Sequence, residues 1–177
     1  MTITPDTKDW TWVLTRRCDD CGFDAQSIDS RRVGDLLRAN AAEWTHFLST
    51  GDPALSGRPS PAVWSPLEYG CHVRDVFRRF DERLALMLVD DDPAFANWDQ
   101  DATALADDYG AQAPATVAGE IAAAVDAVAA RFDAVPPDAW ARTGRRSDGA
   151  RFTVDSLARY LLHDPIHHWY DVTGRRA

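Results

Sequence analysis

His163 and His167 stand four residues apart in the segment Tyr160-Leu-Leu-His-Asp-Pro-Ile-His-His-Trp-Tyr170. On a helix such a step advances about 400°, so both imidazoles share a face and can reach one divalent cation. Two ligands hold an ion weakly, and a third is expected from elsewhere in the chain. His72, in Trp64-Ser-Pro-Leu-Glu-Tyr-Gly-Cys-His-Val-Arg-Asp75, suits that role. It falls about 40° from Val76 and about 60° from Tyr69 at the edge of an apolar stripe, where it can point inward. The expected metal set is therefore His72, His163 and His167. Three neutral imidazoles suit Zn²⁺, with Ni²⁺ or Fe²⁺ as alternatives, and an open fourth position marks a catalytic site more than a closed structural one. The competing reading is a buried histidine pair satisfied by hydrogen bonds alone. Glu68, Asp164 and Asp171 are candidate carboxylates behind the ligands. His46 and His168 receive no role, and Cys71, about 100° from His72 on the same helix, is left out of the set.

Cys18 and Cys21 form a CxxC in Arg17-Cys-Asp-Asp-Cys-Gly-Phe23. One such pair reads first as two thiols in an N-terminal turn, with a structural zinc knuckle or a redox role as alternatives. Three cysteines in all are too few for a disulfide framework. Trp10 and Trp12 are expected to pack over the mouth of the helices and bring the CxxC near it.

The elements that must carry these residues are helices. Val33, Leu36, Leu37, Ala41, Trp44, Phe47 and Leu48 follow one helical face from a start at Asp29 or Ser30 to a stop near Gly51-Asp-Pro53. Ser65-Pro66-Leu-Glu68 supplies an N-cap, a proline at N1 and a glutamate at N3, with Trp64 and Tyr69 placed as a hydrophobic staple. That helix extends to about Val89. An alanine-rich helix is predicted over about 115–134, closed by Pro136-Pro137. Thr153 can cap the last helix, which carries both candidate ligands and, between them, Pro165, a residue that deletes a backbone hydrogen bond at a cost of roughly 3 kcal/mol. Asp148-Gly149 signals a small hairpin or ordered loop, and the segment 95–114 has no clear pattern.

At 177 residues and 45% hydrophobic content, the chain fits one domain over 1–177, with an N-terminal arm at about 1–28. A formal charge of −9 argues against a nucleic-acid footprint, which needs a clustered basic face. No run of about 18 apolar residues suggests a membrane span, and the first residues lack a signal-peptide pattern, so a cytoplasmic protein is expected. Bundle faces of this kind can pair, which makes a homodimer the form of self-association to expect.

Trp64-Ser-Pro-Leu-Glu68 followed by His72, a long second helix and the late Tyr160-Leu-Leu-His-Asp-Pro-Ile-His-His168 together resemble the DinB family over roughly residues 28–172. The resemblance implies an all-α, four-helix bundle of the DinB/YfiT-like type with long crossover loops. It also implies a divalent metal held by a histidine of the second helix and an HxxxH pair of the fourth, carried here by His72, His163 and His167. Relatives include thiol S-transferases and maleylpyruvate isomerase-like proteins that use low-molecular-weight thiols such as mycothiol. The leading expectation is a metal-dependent thiol S-transferase or isomerase acting on a small electrophile, with Tyr160 or Arg142, Arg145 and Arg146 holding anionic groups. The alternatives are a metal-dependent hydrolase with Glu68 or Asp164 as base, and a metal-stabilised binding module.

Overall fold

The computed structural model describes residues 9–177; residues 1–8 of the expected N-terminal arm lie outside them. The helices are α1 (Val33–Leu48), α2 (Pro66–Val89), a short α3 (Gln100–Ala106), α4 (Pro114–Asp133) and α5 (Val154–Thr173). The four long ones form the bundle, in which α4 packs on α1 and α2, and α5 closes against α2 and α1.

Local chemistry explains where the helices begin. Ser65 accepts from the Glu68 amide at 3.2 Å while Glu68 accepts from the Ser65 amide at 2.8 Å, which completes a capping box at α2. Trp64 stacks edge-on against Tyr69 with centroids 5.6 Å apart, so the expected staple is present. Thr153 caps α5 in a second box with Ser156. A 3₁₀ turn, Ser30–Arg32, leads into α1 and is capped by Asp29. α4 lacks a side-chain cap and starts on Pro114.

The apolar stripes meet in one core, in which Leu37, Trp44, Phe77, Leu84, Ile121, Leu157 and Leu161 are fully buried. Each such side chain contributes roughly 1.5–3 kcal/mol of burial free energy. Leu36, Phe47 and Leu88, expected inside, are only partly buried, and Met87 takes the enclosed place at the end of α2. Glycine sets the approach of α1 to α2: a Cβ at Gly70 would lie 2.6 Å from Leu48 Cδ1. The buried charge of Arg74 is paired. Arg74 bonds Glu120 and Gln112 at 2.7 Å and Asp75 at 2.8–2.9 Å, and Tyr109 donates to Asp75 at 2.5 Å, which joins α2, the 3₁₀ turn Tyr109–Ala111 and α4.

The segment 95–114 resolves into α3 and that 3₁₀ turn, preceded by a strand, β1 (Ala94–Phe95). β1 runs parallel to β2 (Thr143–Arg146), which pairs antiparallel with β3 (Arg151–Thr153) in the register Gly144↔Phe152. Gly149, at φ +98°, turns the β2–β3 hairpin as Asp148-Gly149 foretells. This small sheet delivers Arg146 and the adjoining Trp98 segment to one side of the bundle.

Candidate metal centres

Two i, i+4 donor pairs interleave on α5: His163 with His167, and Asp164 with His168. One residue of offset turns the second pair about 100° from the first. Each pair finds different company. Cys18, Cys21, His163 and His167 bring one donor atom apiece within 4.8 Å of one another, and so, separately, do His72, Asp164 and His168. The structure thus divides the expected set: His163 and His167 stay together, and His72 faces Asp164 and His168. His168, left without a role in the sequence, belongs to a cluster; His46 on α1 belongs to neither. Asp164–His168 carries the same helical spacing as His163–His167, a signal that a search for histidine pairs alone passes over.

In the second cluster His72 is fully buried, and its Nε2 lies 3.3 Å from Asp164 Oδ1. Neither ring nitrogen of His72 nor that carboxylate oxygen has a hydrogen-bond partner among the described residues. Buried polar atoms left this way are costly, and His72 Nε2 and Asp164 Oδ1, which face each other, are a pair that a bound cation would satisfy. Trp98 stacks on the His72 ring at 5.1 Å with 2° between planes, and Trp64 lies 5.3 Å away. His168 Nε2 faces Asp164 Oδ1 at 3.7 Å, while its Nδ1 sits 2.9 Å from Asp171 Oδ2. A proton on Nδ1, held by Asp171, leaves the Nε2 lone pair directed at the cluster.

Protonation states fit the same role. Burial lowers the pKa of His72 despite the nearby Asp164. Burial alone would raise Asp164, but His72 and the neighbouring histidines outweigh it and hold the carboxyl at about 2. At neutral pH His72 is a neutral imidazole and Asp164 an ionised carboxylate, donors that suit Zn²⁺ and other divalent ions.

Asp164 and His168 line a cavity of about 560 Å³, shared with Trp98, Arg83, Arg146 and Tyr160. Arg146 donates to the Tyr160 hydroxyl at 3.3 Å and to Asp148 at 2.9–3.0 Å. Arg83 is 5% exposed and donates to the Ala96 carbonyl, and no carboxylate pairs with it among the described residues. Burial, with Arg146 close by, pushes its pKa down to about 10. Of the three arginines expected to hold anions, only Arg146 faces this cavity. Arg142 clamps the end of α2 through the Met87 and Asp90 carbonyls at 2.6 Å, and Arg145 pairs with Asp92 at 2.9 Å. Glu68 is likewise committed, to its capping box and to Arg58 Nε at 2.8 Å, so it is not free to act as a base.

The sequence model of the DinB superfamily matches residues 35–172. This chain belongs to the DinB superfamily. Its fold is similar to that of YfiT from Bacillus subtilis, with a TM-score of 0.73 and 18% identity, over 84% of this chain and 88% of that one. YfiT is described as "a probable metal-dependent hydrolase with an unusual four-helix bundle topology". A search of curated proteins found no match. In this DinB-superfamily chain the donor from the second long helix therefore faces Asp164 and His168, and the His163–His167 pair faces the N-terminal CxxC.

Proposed function

We propose that this DinB-superfamily protein is a divalent-metal-dependent enzyme whose working centre is His72, Asp164 and His168, and that it hydrolyses a small substrate bearing an anionic group. One observation carries the reading: donors from α2 and α5 converge beside a 560 Å³ cavity, with buried atoms that have no hydrogen-bond partner among the described residues. Two imidazoles and one carboxylate are a three-ligand set that leaves positions open. When bound there, a divalent ion would supply Lewis acidity and lower the pKa of a nucleophile.

The chain's own residues supply the rest. Asp171 holds His168 in one orientation, and Trp98 and Trp64 keep water from His72. Arg83, which has no carboxylate partner among the described residues, is the cation left to meet a substrate carboxylate or phosphate in a cavity that several aspartates also line, Asp148 among them paired with Arg146. The family membership and the description of YfiT support metal-dependent chemistry. The thiol reading stays as the second, because a cavity of this size has room for a low-molecular-weight thiol such as mycothiol beside an electrophile.

The test is turnover of activated esters and amides with and without a carboxylate, by zinc-loaded wild type and by His168→Ala and Asp164→Ala. Metal-dependent hydrolysis that falls by about 100-fold or more in both variants supports the reading. Turnover that appears only when a thiol is added favours the transferase, and no turnover with either favours a binding module.

A further inference from the structure

The Cys18–Cys21–His163–His167 cluster has a different character from the centre just described. All four residues are buried, at 0% for both cysteines, 4% for His163 and 8% for His167. Their donor atoms lie within 4.8 Å of one another, and Cys18 Sγ is 3.6 Å from His167 Nδ1. A tetrahedral zinc with bonds of about 2.0–2.3 Å places its donors roughly 3.3–3.8 Å apart, so that contact already has the length of a tetrahedral edge. His163 Nε2 is buried and has no hydrogen-bond partner among the described residues.

The turn that presents the two sulfurs is built, not incidental. The Cys18 amide donates to Phe23 O at 2.8 Å, and the Gly22 amide returns to Cys18 O at 2.9 Å. Gly22 adopts φ +82°, which a side chain would resist. Arg17 donates to Gly22 O at 2.8 Å, and the amide of Ala177 donates to Cys21 O at 2.7 Å, so the turn is fastened both by its own neighbour and by a residue distant in sequence. Trp10 covers the histidine rings, with centroids 5.6 Å from His163 and 4.9 Å from His167, and Phe23 lies 5.5 Å from His163.

We infer that Cys18, Cys21, His163 and His167 form a closed tetrahedral zinc site that bolts the N-terminal arm to α5, distinct from the open His72–Asp164–His168 centre. Two thiolates and two neutral imidazoles balance the charge of Zn²⁺, which is the condition for burying the ion, and four protein donors leave it no open position. Binding takes up Zn²⁺ and releases the two thiol protons to solvent, with no change of oxidation state. The site also sets the rotation of α5, and through it the direction of Asp164 and His168. Its role is structural.

Cobalt separates the two centres, since only thiolate ligands give an intense near-ultraviolet sulfur-to-cobalt charge-transfer band. The full chain, stripped of metal under reducing conditions and titrated with Co²⁺ without added thiol, should bind two equivalents and show that band. The Cys18→Ser, Cys21→Ser double variant should lose one equivalent and the whole band. His72→Ala with His168→Ala should lose the other equivalent and keep the band, so failure of the open centre is read apart from failure of this one. Against a variant that does not fold, the wild type gives its own answer: with zinc bound, Cys18 and Cys21 should resist a thiol reagent until a chelator is added. No band, a Cys18–Cys21 disulfide in the purified protein, or equal thiol reactivity with and without zinc would overturn the inference.

Discussion

His168 Nδ1 lies 2.9 Å from Asp171 Oδ2, and the other oxygen of that carboxylate faces Nε2 of His167 at 3.7 Å. One carboxylate thus stands behind a histidine of each cluster. Asp171→Asn keeps the shape but removes the charge that orients both rings. Metal affinity should fall about 10–100-fold at the open centre, where the contact is short, and less at the CxxC cluster, where it is long. Chelator competition on each centre checks this; equal retention by wild type and variant at both centres would show that packing alone orients the rings.

Tyr109 is 1% exposed and donates to Asp75 at 2.5 Å, and Asp75 also bonds Arg74. Burial would raise the Asp75 pKa, but Arg74 and Tyr109 bring it below its usual 3.8. A depressed carboxyl contributes stability that is full above the unfolded pKa and is lost as pH falls through the folded one. Tyr109→Phe should therefore cost about 1.5–3 kcal/mol at pH 7 and shift acid unfolding to higher pH. Urea melts between pH 7 and pH 3 measure both effects, and a loss of stability with no shift of the acid transition would reject the link to Asp75.

Much of this arrangement was legible from local signals. Ser65-Pro66-Leu-Glu68 and Thr153 announce their helices because a cap is a short-range hydrogen bond written in four residues, and both boxes form. Periodicity also placed His163 and His167 on one face. It could not say what that face meets: Cys18 and His167 are 149 residues apart, and a helical wheel carries no information about a distant arm. The same limit left Asp164 and His168, the groups that His72 faces, out of the expected set. α3 and β1, at seven and two residues, are too short to show a repeat, and the segment between them meets the bundle through a tertiary contact, Trp98 on His72.

Glu68 distinguishes a cap from a base. With its side chain 6% exposed and bonded to Ser65 N and Arg58, it should matter to folding and not to chemistry. Glu68→Ala should lower stability by about 1–3 kcal/mol, from the lost cap and the stranded Arg58, with metal content unchanged. A large fall in turnover at unchanged thermal stability would return Glu68 to the catalytic machinery.

Arg83 yields a prediction with opposite signs for stability and function. Its guanidinium is nearly enclosed, sits 5.1 Å over the rings of both Phe80 and Phe95, and has no carboxylate partner among the described residues. The ring faces offset part of the cost of burying its charge. The rest is a standing penalty, reflected in a pKa pushed down to about 10 by burial. Arg83→Met fills similar space without charge, so it should leave the fold equally or more stable, as replacement of poorly compensated buried charge does elsewhere. If the charge is kept for an anionic substrate, the same variant should lose about 10–100-fold in kcat/KM toward carboxylate-bearing substrates and little toward neutral ones, in keeping with about 1.5–3 kcal/mol for a charged hydrogen bond. Thermal melts and paired kinetics on matched substrates decide it: equal losses for both substrates, or a strongly destabilised variant, would make Arg83 a structural residue that anchors the segment at Ala96.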